Sequence, residues 1–177
     1  MSQASIEIVR EFFTANGFFV LHNDDILLVK NSLKKEESLS ERFVLSADSV
    51  SGIDNGMVRV VSWHTMKFTP GVLQKNPEIF DFASEENVQL ARKSFLEEPF
   101  IRILVIPAFP ASDDLRKKSE DIMKARGIDR AITFPSIVSG LINKIESRHV
   151  YQSSVNEVLR ILKFYRFFAE EEQNLPF

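Results

Sequence analysis

The chain has no cysteine among its 177 residues, which excludes thiolate nucleophiles, Cys-ligated zinc and disulfides together. Glycine is scarce, six in all, and no GxGxxG, GxxxxGK(S/T) or GxSxG pattern occurs. The loops that cradle dinucleotides or triphosphates, and the strained turn that presents a nucleophilic serine, therefore have no sequence counterpart. Histidine is limited to His22, His64 and His149, and no two of these share the i, i+4 spacing of a helical metal pair. A basic excess is also missing. The formal net charge is −3, which argues mildly against binding through non-specific phosphate contacts but leaves a local basic groove open. No apolar run approaches the ~18 residues of a membrane span. The opening MSQASIEIVREFF mixes acids with apolar residues and lacks a basic n-region, so it does not read as a signal peptide. A reducing cytoplasm is the expected setting, with no membrane partner.

What is present is ordinary for one globular domain: 44% hydrophobic and 27% charged residues. A chain of this length buries roughly 70% of its unfolded surface, enough for a core without metal or cross-links. Ile6, Val9, Phe12 and Phe13 fall at helical spacing, which predicts a helix over 4–16 closed by Asn16-Gly17. Phe18–Leu21 and Ile26–Val29 suit strands around a turn. Residues 31–41 are polar and read as an exposed loop, and Arg42–Val50 reads as a further strand. The SGIDNG segment supplies hairpin chemistry before Met57–Phe68, whose run MVRVVSWHTMKF is expected as one strand.

Thr69-Pro70-Gly71 and Asn76-Pro77 mark turns, with a short helical piece over Glu78–Phe82. Ser84 followed by two glutamates opens a helix to about Leu96, and Ser112 with two aspartates opens another to Arg126. Between them, Ile101–Ile106 (IRILVI) is β-branched and bounded by prolines, the signature of a buried strand. A short strand over Asp129–Phe134 and a helix near Ser136–Ile145 follow. Ser154 and Glu157 have capping-box spacing at the start of the last helix. No repeat or low-complexity linker divides the chain. The expectation is one α/β domain, a mixed sheet flanked by helices, with a core over about 4–145 and a helical extension over about 146–177.

An initial helix, a strand meander, a crossover helix and another strand resemble the core of the PD-(D/E)XK, restriction-endonuclease-like nuclease superfamily. The IRILVI strand, the capped helix after it and the GIDRAITF unit look like the second half of such domains. The resemblance implies an acid on one central strand and a (D/E)-X-K triplet on the next, together holding Mg2+ or Mn2+ and activating water. Asp48, in LSADSV, stands nearest to the first acid, and Asp54 is a poorer match. At the triplet positions stand Arg59 and Val61. Neither replaces the acid or the lysine, and an arginine there repels a metal ion. The resemblance thus implies a degenerate nuclease acting as a binding or assembly module. The alternative is an active magnesium-dependent nuclease with a rearranged site.

Several residues define that alternative, each beside a plainer role. Asp48 and Asp25 are the candidate metal ligands, though an aspartate at a turn ordinarily solvates the bend. His64, beside the single tryptophan Trp63, is a candidate base because a free imidazole titrates near neutrality, and equally a structural hydrogen-bond partner. Lys67 is a candidate displaced lysine. Glu7 and Glu11 share one helix face, where an additional acid or a solvated face is expected. Arg160, Lys163 and Arg166 form a basic stripe on the last helix, a candidate nucleic-acid contact with Tyr165 available for stacking, or else a solvated face. Phe164, Phe167 and Phe168 nearly encircle that helix, which points to a homodimer or protein partner there.

Overall fold

Along Ile26–Asn31 both alternating sets of side chains, Leu27 and Val29 on one side and Ile26 and Leu28 on the other, are apolar. A strand of that pattern has to be covered on both faces. The computed structural model, which describes residues 2–23, 25–32, 50 and 52–168, builds that arrangement. It is a mixed α/β fold with a five-stranded sheet of order β1-β2-β3-β4-β5. The strands are β1 Phe18–Asn23, β2 Ile26–Asn31, β3 Asn55–Val60, β4 Ile101–Ile106 and β5 Arg130–Thr133. β1 to β3 form an antiparallel meander, and β3, β4 and β5 run parallel. The parallel connections need crossovers, and helices supply them.

The first face of the sheet is closed by α1 Gln3–Ala15, α5 Phe134–Lys144 and α6 Ser154–Phe164. The four α1 residues at helical spacing, Ile6, Val9, Phe12 and Phe13, are all buried against Phe18, Val29, Val58 and Ile103 from the strands. Phe12 and Phe13 meet edge to face at 5.5 Å, and each such burial stabilises the fold by about 2–3 kcal/mol. Gly140 of α5 lies so close to α1 that a Cβ there would stand 2.8 Å from the Phe12 ring.

The second face is closed by α2 Pro70–Lys75, a 3₁₀ helix Pro77–Ala83, α3 Glu85–Ser94 and α4 Asp113–Ala125. Its core holds Met57, Phe68, Phe82, Leu104, Ile106 and Met123. Helix ends on this side follow one scheme. In α3 and α4 an N–H bonds back five residues, Glu97 to Arg92 and Ile128 to Met123, across a left-handed residue. In α4 that residue is Gly127, and in α3 it is Leu96 at φ +55°.

Several elements differ from those the residue pattern predicts. β3 ends at Val60, not Phe68. Val61 still donates its N–H to Val105, but the chain then leaves the sheet through a turn in which Met66 N–H bonds to Trp63. Thr69-Pro70 starts α2 instead of a bare turn, because Thr69 caps the helix and proline fits its first position. The cap of α6 is Ser153, whose hydroxyl accepts from Asn156 N–H. Glu157 reaches back instead to the Tyr151 N–H. The exposed loop over 31–41 and the strand over Arg42–Val50 lie almost wholly outside the described residues, as does Asp48.

Candidate functional site

The end of the sheet where β2 begins and β3 finishes gathers most of the candidate residues. Antiparallel register sets Ile26 opposite Arg59, so the turn residue Asp25 arrives beside the Arg59 side chain. The Arg59 Nη1 group donates to Asp25 Oδ2 at 3.1 Å. Asp25 is half exposed and Arg59 mostly covered. A cleft of 60 Å³ opens beside the pair, lined by Arg59, Val60, Val61, Trp63, Glu78 and Ile79. The Trp63 ring leans on Phe68 at 6.0 Å and forms one wall of that cleft's surroundings. The fixed positive charge of Arg59, paired with Asp25 beside a cleft that Glu78 also lines, is the arrangement's main electrostatic feature. The permanent positive charge of the guanidinium opposes a divalent cation there.

His64 belongs to a different set of contacts. It sits in the turn after β3, exposed, with Nε2 2.8 Å from the hydroxyl of the buried Ser5 on α1. Its ring packs on Phe134, the first residue of α5, at 4.5 Å. The nearby Ser62 hydroxyl accepts from Ser2 N–H at 3.3 Å. These contacts fasten the loop after β3 to the starts of two helices. No carboxylate contacts His64 among the described residues, and Lys67 is exposed three residues further along. No group of three or more His, Asp or Glu is placed to hold a metal ion among the described residues.

Glu7 and Glu11 separate. Glu7 pairs with Arg10 at 2.7 Å on the surface. Glu11 is buried, contrary to a solvated face, and its Oε2 accepts from Asn156 Nδ2 of α6 at 2.8 Å. Among the buried side-chain polar atoms of the described residues, the Asn156 Oδ1 is left without a partner. A buried polar pair of this kind fixes how α6 sits on α1. Sequence spacing gave no sign of it, because the partners are 145 positions apart.

On α6 the basic stripe divides. Arg160 forks onto Glu157 at 2.6 and 2.9 Å and reaches the Ser147 carbonyl. That guanidinium, helped by the Tyr151 N–H, holds the Glu157 carboxyl below its ordinary value. Lys163 donates to the carbonyls of Ile142 and Ile145, capping the end of α5. Arg166 is exposed, at φ +58°, in the left-handed position after the helix. The outward ridge of the helix carries Val158, Ile161, Phe164 and Tyr165, all exposed.

Comparison with known proteins adds no relative: no protein-family model, curated protein or solved structure matches the chain. The fold defines the class: a mixed α/β protein with a five-stranded sheet. No described helix is long and apolar enough to cross a membrane.

Proposed function

We propose that the chain is a restriction-endonuclease-like domain that has lost metal-dependent catalysis and works as a binding or assembly module. The observation that carries this reading is the Arg59–Asp25 ion pair. On β3, where the resemblance calls for an acid, a permanent cation stands 3.1 Å from Asp25, the turn residue before β2. Asp25 and Arg59 therefore do not fit a Mg2+ or Mn2+ site, since a divalent ion would have to displace the guanidinium before gaining any ligand. The element order supports the same reading, with an initial helix, a three-strand antiparallel meander and helix-connected parallel strands. With Arg160 and Lys163 engaged inside the fold, protein contact through the apolar α6 ridge is better supported than nucleic-acid contact through the stripe.

Calorimetric titration with Mn2+ tests the proposal. The parent protein is expected to show no saturable binding at millimolar metal, and Arg59→Glu to gain a measurable site. Saturable binding by the parent that disappears in Asp25→Ala or Asp48→Ala would overturn it in favour of the rearranged nuclease.

A further inference from the structure

At the end of the sheet where β4 begins, a cleft of 550 Å³ opens between α3 and the segment that joins it to β4. That volume suits a small organic molecule. Part of its lining is apolar: Ala83, Val88 and Phe100 are half-buried against the second core, and the Phe100 ring packs on Phe95 at 5.3 Å. The joining segment is fixed in place. Glu98 pairs with Lys30 at 3.0 Å and accepts from the buried Asn55 Nδ2 at 3.2 Å, and the same amide donates to the Pro99 carbonyl at 3.0 Å. Just before it, Leu96 and Glu97 are successive non-glycine residues at φ +55° and +64°. Side chains rarely adopt that conformation, and folds keep it most often where it positions a functional group.

The charged groups of the cleft divide into those that are satisfied and those that are not. Glu85 accepts from Gln89 Nε2 at 2.6 Å, and Glu98 is engaged as described. Arg102 lays Nε and Nη2 on the two oxygens of Asp129 at 3.0 and 3.3 Å. Its Nη1 lies so close to Gly127 that a Cβ there would stand 2.7 Å from it. Nη1 has no acceptor among the described residues, and neither Arg92 nor Glu97 has a side-chain partner there. Two guanidinium donors, one carboxylate and an apolar surface are thus left open in one cleft.

We propose that this cleft binds a free α-amino acid with an apolar side chain. Arg92 and Arg102 Nη1 take its carboxylate, Glu97 takes its ammonium group, and Val88 and Phe100 receive its side chain. Charge selects the zwitterion. Glu85, Glu97 and Glu98 stand against two guanidiniums, which opposes a polyanion such as a phosphate ester, and the unpaired Arg92 opposes a simple amine. The cleft shares no residue with the Arg59–Asp25 pair, so the loss of either reading leaves the other standing.

Calorimetric titration of the full chain with L-phenylalanine and L-leucine tests the proposal. Saturable binding at millimolar ligand is expected. The analogue 3-phenylpropanoate lacks the ammonium group and phenethylamine lacks the carboxylate, and each should bind at least about tenfold more weakly than phenylalanine. Arg92→Gln should weaken phenylalanine by about tenfold and leave phenethylamine unchanged, whereas Glu97→Gln should weaken phenylalanine and leave 3-phenylpropanoate unchanged. Both side chains are exposed, so the circular dichroism spectrum and Tm should not move, and the comparison of analogues on the parent stands without either variant. Lys93→Gln, one position from Arg92 but outside the cleft lining, should bind as the parent does. No saturable binding of either amino acid would overturn the proposal, as would an equal weakening by Lys93→Gln. Inorganic phosphate bound more tightly than phenylalanine would overturn it in favour of an anion site.

Discussion

The two faces of the sheet are built from different stretches of chain, and they are not equally complete. The first is sealed by α1 near the start of the chain and by α5 and α6 from its last third, so its contacts join positions more than a hundred residues apart. The second is sealed by elements within residues 57–131, a nearly continuous stretch. Its helices stand over β3, β4 and β5, and β1 is left bare among the described residues. Two neighbouring phenylalanines record the difference: Phe18, facing the first side, is 6% exposed, and Phe19, facing the second, is 69% exposed. Chemically identical side chains one position apart thus do opposite things, because the pleat sends one to a covered face and the other to an open one.

The largest effect expected from that contrast is in stability. Phe18→Ala should cost about 3–5 kcal/mol, since it removes a ring from a filled core. Phe19→Ala should change monomer stability by no more than about 0.5 kcal/mol. Denaturant melts of the two variants, at dilution sufficient to exclude self-association, decide it; equal costs would mean that the second face is covered too. Next in size is Gly140→Ala, whose Cβ meets the buried Phe12 ring at 2.8 Å and should cost about 1–3 kcal/mol. An unchanged midpoint there would show that α5 is free to shift off α1.

A smaller and opposite effect is expected on the second face. Leu96 ends α3 at φ +55° with its side chain exposed, a conformation that suits glycine better. Leu96→Gly should therefore raise stability by about 0.5–1 kcal/mol, seen as a higher Tm, and a drop would reveal a contact of Leu96 with something outside the monomer. The subtlest effect concerns acid. Glu157 has a folded-state pKa lowered from 4.5, chiefly by the Arg160 hydrogen bonds. Its contribution is present above the unfolded value and is lost as pH falls through the folded one. Hydrogen exchange in α6 should accelerate over that acidic interval in the parent, and Glu157→Gln should lose the dependence.

Much of the fold was legible because periodicity and caps are local. The IRILVI strand was expected over Ile101–Ile106 and occurs at those bounds, since a β-branched run between prolines leaves few alternatives. The starts of α3 and α4 followed from Ser84 and Ser112 with their acids, although neither serine hydroxyl makes a capping bond. Position and helix dipole sufficed there. The over-long strand Met57–Phe68 failed for a non-local reason: after Val61 there is no further neighbour on β4 to accept the ladder, so the apolar Phe68 is buried from a loop instead. Of the candidate site, Asp25 could be named from its turn but its partner could not, because the Asp25–Arg59 contact spans 34 positions.

The sequence by itself determined the class: an α/β chain without thiol chemistry, phosphate-cradling loops or a membrane-spanning run, with most elements written in local patterns of burial and capping. Only the tertiary structure decided which charges meet. Arg59 was visible as an arginine on a strand, and the antiparallel register of β2 and β3 made it the counter-ion of Asp25. Arg160 and Lys163 were visible as a basic stripe, and the packing of α6 on α5 drew Lys163 onto carbonyls. The physical reason is the same in each case. Local pattern sets what a residue can do, whereas the partner that satisfies a charge or covers an apolar face is brought by distant chain.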